Sequence, residues 1–123
     1  MHSGRLLDHF QNPRNSGELA PPALVADVTN PACGDRLRLS ARFENGRVAE
    51  VRFLTRGCTA AIAASSALTE WMTGKSPAEL QALTAQVMEE AVGGLEPASK
   101  HAAVLCVDAA RQLLSKLSEN KAQ

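Results

Sequence analysis

Tyrosine is absent, and the rings amount to three Phe and one Trp, so a core built on stacked aromatics is excluded. The charges cancel, with thirteen Lys and Arg against thirteen Asp and Glu. That balance argues against the broad positive footprint of a nucleic-acid binder. No unbroken apolar run is long enough to span a bilayer. The longest apolar-leaning stretch, Thr59 to Met72, is interrupted by Ser65, Ser66, Thr69 and Glu70. Met1 to Arg5 lack the apolar segment of a secretory signal. A soluble, cytoplasmic protein is therefore expected, with neither membrane nor nucleic acid among its partners. Cysteine is sparse and odd in number, at Cys33, Cys58 and Cys106. In a reducing compartment these read as thiols for metal or sulfur chemistry, not as a disulfide framework.

What is abundant is alanine, 21 of 123 residues. A core made of so many small side chains depends on close backbone approach. The length suits a single domain spanning residues 1–123, with 118–123 expected to fray. A short helix is predicted from Arg5 to Gln11, stopped by the turn formers Asn12 to Gly17. Leu37, Leu39, Ala41 and Phe43 alternate with polar residues, the period-two pattern of a half-buried strand. Asn45-Gly46 is the dipeptide of a tight hairpin turn, and Val48 to Thr55 returns with Ala49, Val51, Phe53 and Thr55 on one face. Ala23 to Val28 offers a third strand.

Beyond Cys58 the pattern becomes helical. Thr59 to Thr73 is Ala-rich, Ser76-Pro77-Ala78-Glu79 is a capped helix start, and Thr84 caps a further helix up to Val92. Ala102, Cys106, Ala109, Leu113 and Leu117 mark one stripe of a long last helix, from about Pro97 to Leu117. Strands first and helices later predict an α+β domain: a small three-stranded antiparallel sheet with helices on one face and a long C-terminal helix. Six arginines and two glutamates lie between Arg36 and Arg56. They read as a solvated sheet face in preference to a docking surface for an acidic partner.

Each candidate for chemistry is weak alone. Cys33 sits in a turn with Gly34 and Asp35. Cys58 opens the Ala-rich helix, where the dipole and free N–H groups favour a thiolate. His101 falls near the start of the last helix. A lone cysteine at a helix start is more often a small buried residue than a ligand, and a lone histidine is more often surface or satisfied core.

Longer stretches carry more. Asp8-His9-Phe10-Gln11-Asn12-Pro13-Arg14-Asn15-Ser16-Gly17, Asn30-Pro31-Ala32-Cys33-Gly34-Asp35, Gly57-Cys58 through Ser66, and Thr69 through Ser76 occur in that order. With them the chain resembles the U-type iron–sulfur cluster assembly scaffolds, the family of IscU, SufU and the N-terminal domain of NifU. The resemblance implies a non-enzymatic scaffold on which a [2Fe–2S] cluster is built from iron and sulfide. It also implies a cysteine desulfurase as sulfur donor, acceptor apo-proteins, and leaves open a homo-oligomer. Cys33, Asp35, Cys58 and His101 match the family's metal-binding positions, with zinc as the alternative occupant. The chain departs from the family at Ala102, which stands where the third cysteine belongs. Cys106, one helical turn on, is the possible additional thiol. Glu96 and Ser99 replace a Pro and a Lys of the family's chaperone-recruiting stretch, so a dedicated chaperone is not expected. Three readings follow: a scaffold, a zinc-binding regulatory paralogue, or a sulfur-accepting thiol protein built on Cys58.

Overall fold

A computed structural model describes residues 2–31 and 34–121. The order of elements is α1 (Gly4–Gln11), β1 (Leu24–Thr29), β2 (Arg36–Glu44), β3 (Arg47–Arg56), α2 (Thr59–Met72), α3 (Pro77–Gln81), α4 (Ala85–Ala91) and α5 (His101–Lys121), with a short 3-10 turn at Pro97–Ser99 before α5. The strands form one antiparallel sheet in the order β1-β2-β3. Helices α2 and α5 cover one face, α2 against β3 and α5 against β1 and β2, and α1 packs outside on α2. The α+β architecture read from the pattern is the one observed. Among the described residues no helix is long and apolar enough to cross a membrane.

The hairpin turns at Asn45 and Gly46, both with positive φ, the primed geometry that matches strand twist. Its register is Leu37 opposite Thr55, Leu39 opposite Phe53 and Ala41 opposite Val51. The ladder then shifts between Arg42 and Phe43, so that Phe43 pairs with Val48 and Ala49 is the extra residue. Simple alternation put Ala49 on the buried face. The bulge turns Val48 into the core instead and leaves Ala49 half-buried. At the chain's other end α5 continues through Ser118–Lys121, within the polar stretch 118–123 whose last two positions lie outside the described residues. Lys and Glu are good helix formers, and the ladder runs on beyond the apolar stripe.

Helix α2 is buried on nearly every side: ten of its fourteen residues, including Ser65, Ser66 and Thr69. Those hydroxyls are all satisfied, and two of them tie down the N-terminal segment. Ser66 Oγ accepts the backbone N–H of Arg14 at 2.8 Å and lies 2.8 Å from His9 Nδ1. Thr69 Oγ1 donates to the carbonyl oxygens of Arg14 and Ser66 and accepts from Asn15 Nδ2. Removing the Ser66 hydroxyl would strand a buried donor, at a cost of about 1–3 kcal/mol. Further along, the Phe53 N–H donates to Asn15 and the Gly17 N–H to Phe53, while Val48 exchanges hydrogen bonds with Gly74 and Lys75. The outer edge of β3 is thereby covered at two points.

The arginine-rich sheet face is laced with ion pairs. Asp27 receives both Arg36 and Arg38, and Arg38 also reaches Glu18. The paired guanidiniums, Arg36 first, hold the Asp27 carboxyl down to about 2. Arg42 pairs with Glu44 and Glu50, and Arg47 with Glu79. Charges so matched fit a solvated face, the reading preferred from the sequence.

His9 is buried, and desolvation holds its pKa below the usual value near 6.5, with the nearby Arg14 charge adding to the effect. Unfolded chains take up a proton near pH 6.5 that the folded imidazole resists, so stability is lost as pH falls from there toward the depressed folded value. Melting temperatures measured between about pH 7.5 and about pH 5.5 should fall on acidification, and His9→Gln should flatten that slope.

Candidate metal centre

Three elements begin at the same end of the sheet. The β1–β2 loop is clamped by hydrogen bonds from the Asn30 N–H to the Asp35 carbonyl and from the Gly34 N–H to the Asn30 carbonyl. Gly34 has φ +76°, a left-handed conformation that glycine adopts without penalty. This loop delivers Asp35 immediately before β2. At the far end of β3 the chain turns through Gly57 into α2, with Cys58 as its N-cap residue in extended backbone. The Cys58 side chain makes no cap hydrogen bond, which leaves the sulfur free to face outward. His101 is the first residue of α5, placed there by the 3-10 turn that carries Pro97 at its start.

The side chains meet. His101 Nε2 lies 3.1 Å from Asp35 Oδ2, and Cys58 Sγ lies 3.6 Å from each of those two atoms. Asp35 is buried at 7% exposure, His101 is half-buried and Cys58 is exposed. The cluster is therefore a shallow site with a protected carboxylate and an accessible thiol. Among the described residues it is the one group of three Asp, Glu, His or Cys side chains whose ligand atoms could hold a metal ion.

Donor chemistry and spacing both suit a cation. Thiolate with imidazole is a zinc or iron set. A tetrahedral ion with ordinary zinc bond lengths has S–N and S–O edges of about 3.6 Å and an N–O edge of about 3.4 Å. The triangle seen here is close to that without rearrangement. Two helix N-termini, those of α2 and α5, open beside the site and favour negative charge there.

Of the residues singled out in the sequence, the structure thus brings together Asp35, Cys58 and His101. Cys33 lies outside the described residues. Cys106 is not in the group. It is fully buried in the core stripe of α5, its thiol hydrogen-bonded to Ser65 and pushed up by burial to about 12. The physical reason is angular. Cys106 shares the inward face of α5 with Ala102, Ala109 and Leu113, all fully buried, whereas five residues of helix separate it from His101 by well over a quarter turn. Ala102 itself is fully buried and brings no donor.

The NifU-like N-terminal domain pattern matches residues 1–123. The chain belongs to that family. An iron–sulfur cluster assembly scaffold protein IscU of Archaeoglobus fulgidus is 40% identical over 114 residues, covering 93% of this chain and 74% of that protein. The IscU scaffold protein of Azotobacter vinelandii is also 40% identical, over 88% of this chain and 87% of its own length. In fold, the chain is similar to a putative SUF-system scaffold from Fervidobacterium islandicum, with TM-score 0.65 at 20% identity over 91% of this chain and 93% of the other. Family membership agrees with the resemblance read from the motifs.

Burial separates the two described cysteines chemically. Iodoacetamide at about pH 8 should alkylate Cys58 in the native protein and spare Cys106 until denaturant is added. Peptide mass spectrometry reads the difference, and equal native labelling would contradict the placement of Cys106 in the core.

Proposed function

We propose that this protein is a scaffold that receives iron and sulfide, holds them as a [2Fe–2S] cluster, and hands the cluster to acceptor apo-proteins. The observation that carries the reading is the convergence of Asp35, Cys58 and His101 from three separate elements, with Cys33 two residues before Asp35. The names of the relatives support it, since they are called iron–sulfur cluster assembly scaffold proteins.

In this reading the iron and sulfide are cargo. Cys33 and Cys58 supply soft thiolates that suit iron–sulfur clusters. Asp35 supplies a hard oxygen that exchanges readily, a useful property in a site that must release what it holds. His101 completes the set. Its Nε2 atom, 3.1 Å from Asp35 Oδ2, is the nitrogen that faces the other donors. Sulfur comes from a cysteine desulfurase: the Cys58 thiolate attacks the outer sulfur of the partner's persulfide, and the partner leaves as a thiolate. An external dithiol, oxidised to its disulfide, then supplies the two electrons that release sulfide and restore the Cys58 thiolate. Cys58 fits this part as the exposed thiol among the described residues. A dedicated chaperone is not part of the proposal, and a cytoplasmic setting is.

The test is anaerobic reconstitution with ferrous iron, cysteine, a desulfurase and dithiothreitol as reductant, followed by iron and sulfide analysis and visible absorption. Wild type should take up both elements and develop the cluster spectrum, and Cys58→Ser should lose it. Unchanged reconstitution of Cys58→Ser would overturn the site. A wild type that holds one zinc and takes up no sulfide would replace the scaffold reading with that of a zinc-binding paralogue.

A further inference from the structure

Six of the eight glycines occupy positive φ, where backbone conformation alone explains them. Gly57 does not. It follows the last residue of β3 and is not one of the positive-φ glycines. What it lacks is room. A Cβ placed on Gly57 would stand 2.6 Å from Asp35 Cγ, 2.7 Å from Asp35 Oδ1 and 3.1 Å from Asp35 Cβ. Real side-chain carbons do not approach so closely, and the atoms met are the root of a carboxylate, not the tip of a flexible chain.

From this we infer that Gly57 is a positioning residue for metal binding: its missing side chain is the seat of the Asp35 carboxylate. The inference rests on the metal-site reading above and adds a residue that carries no ligand atom. Asp35 is enclosed by the protein, with Oδ1 against Gly57 and Oδ2 turned toward Cys58 and His101. A methyl at Gly57 requires Asp35 Cγ to retreat by about 1 Å, beyond the roughly 0.5 Å within which a site must hold its ligands. The retreat takes Oδ2 away from the point it shares with Sγ and Nε2. Because Gly57 adjoins Cys58, the same methyl wedges the carboxylate and the thiol apart. One hydrogen in place of a side chain thus sets the distance between two ligands that are 23 residues apart in sequence.

The experiment is a double-mutant cycle of Gly57→Ala and Asp35→Ala, read by Zn²⁺ affinity in chelator competition and by the absorption spectrum of bound Co²⁺. Gly57→Ala should weaken Zn²⁺ binding about 10–100-fold, the usual effect of disturbing a ligand's support, and shift the Co²⁺ bands toward those of Asp35→Ala. With Asp35 shortened the two severe collisions are gone and only the 3.1 Å approach to its Cβ remains, relieved by a shift of a few tenths of an ångström, so adding Gly57→Ala to Asp35→Ala should change affinity less than about twofold. Wild-type affinity in Gly57→Ala, or an equal loss in both backgrounds, overturns the inference while leaving the metal site standing. A wild type that binds neither ion overturns the site and the inference together. If Gly57→Ala alone fails to fold, recovery of a cooperative melt in the double variant carries the same conclusion, and failure of both overturns it.

Discussion

Close approach of helix α2 to its neighbours is the constraint on which the remaining structure rests. Ala60, Ala61, Ala63, Ala64 and Ala67 are essentially without exposure, and side chains this short let β3, α5 and α1 pack against the helix at once. Small residues gain little by burial individually, at about 25 cal/mol per Å² of apolar area. What they permit is proximity, which gives the larger side chains around them, Leu6, Leu39, Leu68 and Met88 among them, a filled core. The polar residues of α2 work under the same constraint. Ser65 holds Thr55 and the Cys106 thiol, and Ser66 and Thr69 hold the segment after α1, so three hydroxyls tie β3, α5 and the N-terminal segment to this helix.

The site inherits its geometry from this packing. With α2 pinned along its whole length, its first residues have one place to be, and Cys58 is set there as the cap. The starts of β2 and α5 are set by the same sheet, so Asp35 and His101 arrive without any contact of their own being needed to bring them. A bound cation would link three chain segments that are remote in sequence. Its binding free energy would then add to the stability of the fold itself, and loading and release would be felt at the ends of two helices.

Much of this was legible in the sequence, and the exceptions have physical causes. Asn45-Gly46 between alternating strands announced the hairpin, because a turn with two positive φ angles admits few other residues. The bulge at Ala49 was not legible, since Val48 and Ala49 are both apolar and alternation alone cannot say which one faces inward. Ser66, Thr69 and His9 carried no sign of burial. Polar side chains are ordinarily exposed, and the Arg14 N–H that partners Ser66 lies 52 residues away. Cys58 and His101 were identified by motif, not by spacing, because nothing local says that two helices will start side by side. Gly57 carries no donor atom, and a contribution made by the absence of an atom leaves no mark in the sequence. Cys106 could be read either as displaced ligand or as core, and helical phase alone, once α5 was oriented by the sheet, separates the two.

The stapling of β3 along its outside reaches beyond the fold. Unpaired amide and carbonyl groups along that margin are interrupted by Asn15 to Gly17 on one stretch and by Gly74 and Lys75 on another. Among the described residues, these two stretches break up the ribbon of backbone that a foreign strand would zip onto on that side. Whatever meets this protein there must recognise it through side chains, a form of recognition that can be made and broken residue by residue.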